Sequence, residues 1–163
     1  MHDIIALRHF YSSPLGRQVK RWLRHKLSQH VGRTHGETLV GIGYAAPLLR
    51  AVESLEHAPE HVIALMPGAQ GALYWPLQGD NRVALGAVDA LPFHDNSVHW
   101  LVMLHALEHA DSAKDMLEEA HRVLVPGGRL LMFVPHRHRP WRWWGDSPFK
   151  EGTAYRYGEL KRL

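Results

Sequence analysis

Apolar residues in the N-terminal part of the chain recur with the period of a helix. Between Pro14 and Val31 they appear every three or four residues, and many of the intervening positions are basic. Ser13 and Pro14 suit the N-cap and the first helical position. The pattern therefore predicts an amphipathic helix whose apolar stripe packs on the domain and whose other face is basic.

From residue 38 the pattern changes to short apolar runs separated by helical stretches and by turns rich in Gly and Pro. Runs of strand length lie at 38–43, 61–66, 81–88, 97–104 and 129–135. Helices are predicted between some of them, at 47–55 and from about 112 to 125. This alternation is typical of a parallel sheet covered by helices on both faces. We therefore expect an α/β, Rossmann-like fold with an open, mostly parallel five-stranded sheet.

The composition excludes several functional classes. The chain has 163 residues, enough for one domain with its own core, and no cysteine. Disulfide scaffolds, thiolate zinc sites and cysteine nucleophiles are thereby excluded. No apolar run approaches the length of a transmembrane helix, and the first residues lack a signal-peptide pattern. The sequence therefore predicts a cytoplasmic protein without a transmembrane segment.

Charge is distributed unevenly along the chain. Residues 1–35 hold seven Lys and Arg against one acid, and residues 136–163 hold seven against three, whereas the middle has five against twelve. We therefore divide the chain into a basic N-terminal helical segment (1–36), a core (37–135) and a basic, Trp-rich tail (136–163). The basic ends either bind an anionic partner such as nucleic acid or simply complement the acidic middle.

Three motifs carry a resemblance to a known family. They are ETLVGIGYA at 37–45, LPFHDNSV at 91–98 with HALEH at 105–109, and VLVPGGRLL at 123–131. In this order and spacing they resemble class I S-adenosylmethionine-dependent methyltransferases of the small-molecule-type branch. The resemblance implies S-adenosylmethionine as cofactor and methyl transfer to a small molecule or to an accessible group of a polymer.

The first motif also has a physical reason to bind a cofactor. Gly41 and Gly43, at a strand-to-helix turn, let the backbone approach a ligand, and the next helix offers free N–H groups to a carboxylate. Ala45 stands where the family often has another glycine. The resemblance adds three residues to the expected cofactor site: Met66, Asp89 and Leu91.

The sequence departs from the family at three positions that normally hold acids. These positions are Leu39, Met66 and Ala87, and the acids at the last two would bind the ribose and the adenine amine. Loss of one such hydrogen bond to a charged group weakens binding by about 1.5–3 kcal/mol. An alternative function is therefore a non-catalytic, methyltransferase-like binding module that acts on a protein or nucleic acid through its basic ends.

Histidines that follow the fourth and fifth predicted strands are the candidate catalytic residues. A neutral histidine can take a proton from the methyl acceptor, and we predict this role for His105 first and His136 second. The run from His105 to His109 also fits the H-x-x-E-H pattern of inverted zinc peptidases. That chemistry needs the pattern within a helix, whereas here it follows a strand, so no metal site is predicted.

The chain ends where the family continues with a further helix and two antiparallel strands. The chain is therefore either truncated or a naturally short form, and the fifth strand is left at the edge of the sheet. An uncovered edge exposes unpaired backbone groups. We expect the Trp-rich tail, or a second copy of the chain in a homodimer, to cover it.

Overall fold

The computed structural model describes residues 4–32, 34, 36–68, 70–135, 155–160 and 162. The strands are β1 (Thr38–Gly43), β2 (His61–Pro67), β3 (Val83–Gly86), β4 (Val98–Leu104) and β5 (Leu124–Phe133). The helices are α1 (Ile4–Ser12), α2 (Pro14–His30), α3 (Ala46–Glu53), α4 (Ala113–Val123) and α5 (Tyr157–Leu160), with a 3-10 turn at Leu107–His109. None of these helices is long and apolar enough to cross a membrane.

The five strands form a single sheet in the order β3-β2-β1-β4-β5, and every neighbouring pair is parallel. Alternate residues of a strand point to opposite faces of the sheet. Leu39 of β1 accordingly packs in a cluster with residues of α1, α2 and α3. Val40 and Ile42 pack on the other face with residues of α4. The predicted Rossmann-like fold, with helices on both faces, is confirmed.

The N-terminal segment forms two helices rather than the single one predicted. Ser13 caps α2 as expected, since its Oγ accepts a hydrogen bond of 3.0 Å from the backbone N–H of Gly16. The additional helix, α1, buries Ile4, Leu7 and Tyr11. These positions are three and four residues apart, so they form one apolar stripe that packs on the domain.

The boundaries of β3 and β5 differ from the predicted ones. β5 begins at Leu124, because the sequence Pro126–Gly128 forms an irregularity within the strand instead of a loop before it. Gly127 has a φ of +82°, and the pairing shifts from Val98 with Leu124 to Trp100 with Arg129. β3 is limited to four residues at the other edge of the sheet.

The carboxyl ends of the parallel strands lie along one edge of the sheet, where α/β proteins of this type bind ligands. Helix α1 crosses this edge. The backbone N–H of Ile4 donates to the carbonyl oxygen of Gln70, which follows β2, over 3.1 Å. The Tyr11 hydroxyl reaches His105, the residue after β4. Two N-terminal residues thus contact the ends of two different strands.

Candidate functional site

The turn after β1 holds the ends of β1 and β4 together. Gly43 has a φ of +77°, and a Cβ atom added to it would lie 2.5 Å from the carbonyl oxygen of Leu104. The next residue, Tyr44, donates its backbone N–H to the same oxygen over 2.8 Å. At Gly41, an added Cβ would lie 2.8 Å from the Cβ of Ala45. The structure therefore brings Gly41, Gly43 and Ala45 together in one closely packed turn.

Helix α3 begins directly after this turn without a side-chain cap. Its N-cap residue is Ala45, which makes no capping hydrogen bond, and Pro47 lies in the first turn. The first N–H groups of a helix have no partner within the helix itself. Pro47 has no N–H group, and the N–H groups of Leu48 and Leu49 both donate to the carbonyl oxygen of Ala45, over 2.8 and 3.3 Å. The first turn of α3 therefore offers few N–H groups to the carboxylate of a ligand.

A buried hydrogen-bond chain lies beside the turn. His105 is 5% exposed and has a φ of 53°, which is uncommon for a residue other than glycine. Its Nδ1 lies 2.7 Å from Oε1 of Glu108, and its Nε2 lies 2.9 Å from the Tyr11 hydroxyl. Both hydrogen bonds form together when Nδ1–H donates to Oε1 of Glu108 and Nε2 accepts from the Tyr11 hydroxyl.

Tyr11 is held in place by aromatic packing as well as by this hydrogen bond. Its ring stacks on Tyr44 with centroids 5.3 Å apart, and Phe10 contacts it edge-on at 5.1 Å. Burial raises the pKa of Tyr11 well above its usual range, and Tyr44 and Glu108 raise it further. Burial also raises the pKa of Tyr44 to about 12. Both hydroxyls are therefore neutral at physiological pH, and Tyr11 can donate to His105.

Two buried acceptor atoms lie next to the hydrogen bonds of His105. Gln70 donates from Nε2 to the carbonyl oxygen of His105 over 2.7 Å. Its own Oε1, and Oε2 of Glu108, are buried and have no hydrogen-bond partner among the described residues. An unpaired buried acceptor is costly. Such atoms at the ends of β2 and β4 therefore suggest a ligand that donates hydrogen bonds.

The three remaining residues of the predicted cofactor site have different surroundings. Met66 is fully buried in the cluster that includes α1, and its sulfur accepts from the backbone N–H of Leu73 over 3.3 Å. Leu91 belongs to the cluster on the other face of the sheet and donates its N–H to Glu119. Asp89 is exposed in the loop after β3. Their part in cofactor binding stays a prediction.

His136, the second candidate base, and most of the Trp-rich tail lie outside the described residues. Among the residues that are described, no three His, Asp or Glu side chains form a group that suits a metal ion. His105 and Glu108 are instead hydrogen-bonded to each other.

A cavity of about 380 Å³ opens at the opposite edge of the sheet, near the amino ends of β1 and β4. Arg129 lies over the Trp100 ring beside it, 5.1 Å from the ring centroid. Glu37 accepts a hydrogen bond of 2.8 Å from Trp100 Nε1. The cavity is thus separate from the Gly43 turn and from His105.

The two buried tyrosines are expected to make the fold sensitive to alkali. In the unfolded chain they titrate near pH 10.0, whereas Tyr44 in the folded chain titrates at about 12 and Tyr11 higher still. Their contribution to stability is therefore complete below pH 10 and decreases above it, up to about pH 12 for Tyr44 and beyond that for Tyr11. The loss is up to about 1.4 kcal/mol per pH unit for each tyrosine.

Urea unfolding between pH 9 and 11.5 measures this effect. Replacing both residues, Tyr11→Phe with Tyr44→Phe, should make the fall in unfolding free energy shallower. Tyr74→Phe is the control, because Tyr74 is 57% exposed. Equal slopes in the wild type and the double variant would contradict the assignment.

Comparison with known proteins identifies the family. A family model described as a methyltransferase domain matches residues 27–132. No curated protein matches the chain. A methyltransferase from Haloferax volcanii, solved with the activator Trm112, has a TM-score of 0.62 at 20% identity, over 90% of this chain and 68% of that one.

Two further solved structures are similar over nearly the whole chain. A methyltransferase from Aquifex aeolicus, dependent on S-adenosylmethionine (SAM), has a TM-score of 0.59 at 16% identity, over 94% of this chain and 82% of that one. A SAM-dependent methyltransferase from Thermotoga maritima has a TM-score of 0.57 at 17% identity, over 94% and 77%. At such identities these structures show the shared fold. Since the family model spans more than half of the sequence, the chain belongs to the methyltransferase domain family.

Proposed function

We propose that this chain binds SAM at the carboxyl ends of β1, β2 and β4 and transfers its methyl group to a small molecule. The observation that carries this proposal is the buried hydrogen-bond chain from Glu108 through His105 to Tyr11, which lies beside the Gly43 turn. Such a chain can hold and move a proton, and methyl transfer to an O–H or N–H group requires a proton to be removed.

The unpaired buried atoms fit the donors of the cofactor. SAM has an ammonium group, two ribose hydroxyls and an adenine amine, all of which donate hydrogen bonds. Oε1 of Gln70 and Oε2 of Glu108 are buried acceptors that can take such hydrogen bonds. Because Met66 offers no carboxylate at the end of β2, we assign Gln70 to the acceptor role there.

The three hydrogen-bonded residues, Tyr11, His105 and Glu108, provide the path for the proton. When bound, the cofactor supplies an electrophilic methyl group on its sulfonium. The acceptor's proton passes to the Tyr11 oxygen while the Tyr11 proton passes to Nε2 of His105. Because the pKa of Tyr11 is raised, a free tyrosinate is disfavoured and the two transfers are coupled. The proton ends on His105, where the Glu108 carboxylate at Nδ1 stabilises the imidazolium.

Helix α1 excludes water from this site. Tyr11, Tyr44 and His105 are each at most 5% exposed, and α1, to which Tyr11 belongs, crosses the ends of the strands above Tyr44 and His105. Exclusion of water strengthens the electrostatic interactions within the site. Because Tyr11 belongs to α1, binding of cofactor and acceptor must open space beside α1 while the hydrogen bond between Tyr11 and His105 is kept.

Calorimetric titration with S-adenosylhomocysteine, the product form of the cofactor, tests the proposal. We expect a Kd in the micromolar range for the wild type. Gln70→Ala should raise the Kd about tenfold, the effect of one lost hydrogen bond of about 1.4 kcal/mol. Gln18→Ala, at an exposed position of α2, should leave it unchanged. No detectable binding at millimolar ligand would refute cofactor binding by this chain.

A further inference from the structure

The two N-terminal helices have a positive charge that no acid within them balances. The segment Ile4–His30 contains no Asp or Glu. It contains six basic residues: Arg8, Arg17, Lys20, Arg21, Arg24 and Lys26. Five of the six lie in α2. A concentration of one sign of charge on one element is typical of a surface that meets an anionic partner.

The rest of the described structure does not neutralise these cations either. The ion pairs found in the described residues lie elsewhere, at Arg82, His105, Lys114, Arg122 and His61. The contacts found for three of the α2 cations are to neutral groups: Arg17 donates to the carbonyl oxygen of Ser12, Arg24 to that of Pro47, and Lys26 to Oε1 of Gln29. Besides burial, neighbouring cations lower the pKa of Lys20 and of Arg24. The α2 cations therefore remain available to an external anion.

An aromatic side chain lies among these cations. Trp22 is 57% exposed, although Leu23 next to it is buried in the core. Arg17 and Arg21 are exposed one helical turn apart, and Arg21 directly precedes Trp22. Lys26 Nζ lies 5.9 Å from the centroid of the Trp22 ring. An exposed tryptophan flanked by cations can stack on a flat group of an anionic ligand.

We propose that this exposed face of α2, formed by Arg17, Gln18, Arg21, Trp22 and Lys26, binds single-stranded nucleic acid. The cations would contact the phosphates, and Trp22 would stack on an unpaired base, which a duplex does not offer. A membrane would need a broad apolar face, whereas Leu15 and Trp22 are the large apolar residues that α2 exposes. The proposal does not depend on methyl transfer, because none of these residues belongs to the site at His105.

Fluorescence anisotropy with a labelled twelve-nucleotide oligouridine tests this surface. At 50 mM salt, Arg21→Gln should weaken binding about fivefold, and Arg17→Gln with Arg21→Gln at least tenfold. Each lost phosphate contact should also reduce the slope of log affinity against log salt by about 0.7. Lys114→Gln removes the same charge from α4, where Lys114 pairs with Glu118, and should change the Kd less than twofold.

A second variant tests the stacking role. Trp22→Ala should weaken oligouridine binding about tenfold, within the range for a stacked base, and leave the weaker binding to a duplex of equal length unchanged. Circular dichroism should show an intact fold, because Trp22 is largely exposed. Three results would overturn the proposal: no binding at low salt, equal effects of Arg21→Gln and Lys114→Gln, or co-sedimentation with phosphatidylserine vesicles in the absence of oligouridine binding.

Discussion

Replacing Gly43 by alanine is expected to lower the free energy of unfolding by about 3 kcal/mol. Two effects contribute to this loss. A residue with a side chain at a φ of +77° costs about 1–2 kcal/mol. In addition, the new Cβ would lie 2.5 Å from the Leu104 carbonyl oxygen, so β1 and β4 would have to separate. Strain of this kind in a packed core costs about 1–3 kcal/mol.

A matched control separates the two effects. Gly36 has a φ of +79°, almost the same as that of Gly43, but a Cβ added there would meet no atom within 4 Å from the described residues beyond its chain neighbours. Gly36→Ala should therefore show the backbone effect alone, about 1 kcal/mol. Urea unfolding followed by circular dichroism measures both variants. If they lose the same stability, the close approach to Leu104 is not what requires glycine at position 43.

The fold could be predicted because its signals are local. β1 was predicted at its observed bounds, since an apolar run followed by a glycine turn marks a buried strand and its end. The helix N-cap at Ser13 could also be predicted, because the residues that form it are neighbours in sequence. The irregular start of β5 could not be predicted, because a Pro-Gly-Gly sequence is typical of a loop as well as of a bulged strand.

The candidate site was only partly predictable, because its decisive contacts join distant parts of the chain. His105 was expected after the fourth strand, but its partner Tyr11 lies 94 residues away. The one signal for Tyr11 was its place in the apolar stripe of α1, which indicates burial and not chemistry. The only sequence signal for Glu108 was its place in the H-x-x-E-H pattern, which did not indicate a hydrogen bond to His105. No sequence signal indicated Gln70. The family's acid is replaced by Met66, however, which raises the question of which residue accepts the hydrogen bonds of the ribose instead.

The largest effect on activity is expected from His105→Asn. Asparagine tolerates a positive φ, so the backbone at this position should be retained. Its side chain cannot take up the proton relayed by Tyr11, so the rate of methyl transfer should fall by two to four orders of magnitude. Transfer of a labelled methyl group from SAM to a panel of small amines and phenols first identifies an acceptor. The same assay then measures kcat for each variant.

Other variants distinguish a proton path from a merely structural role. Tyr11→Phe keeps the stacking on Tyr44 but interrupts the relay, so kcat should fall at least tenfold. Glu108→Gln retains a hydrogen-bond acceptor but removes the charge that stabilises the imidazolium, and should also lower kcat. In each case the affinity for S-adenosylhomocysteine should remain measurable. His121→Asn, at an exposed position of α4, should have no effect. If His105→Asn retained wild-type kcat, the proton would have to leave by another route, although cofactor binding by Gln70 would stand.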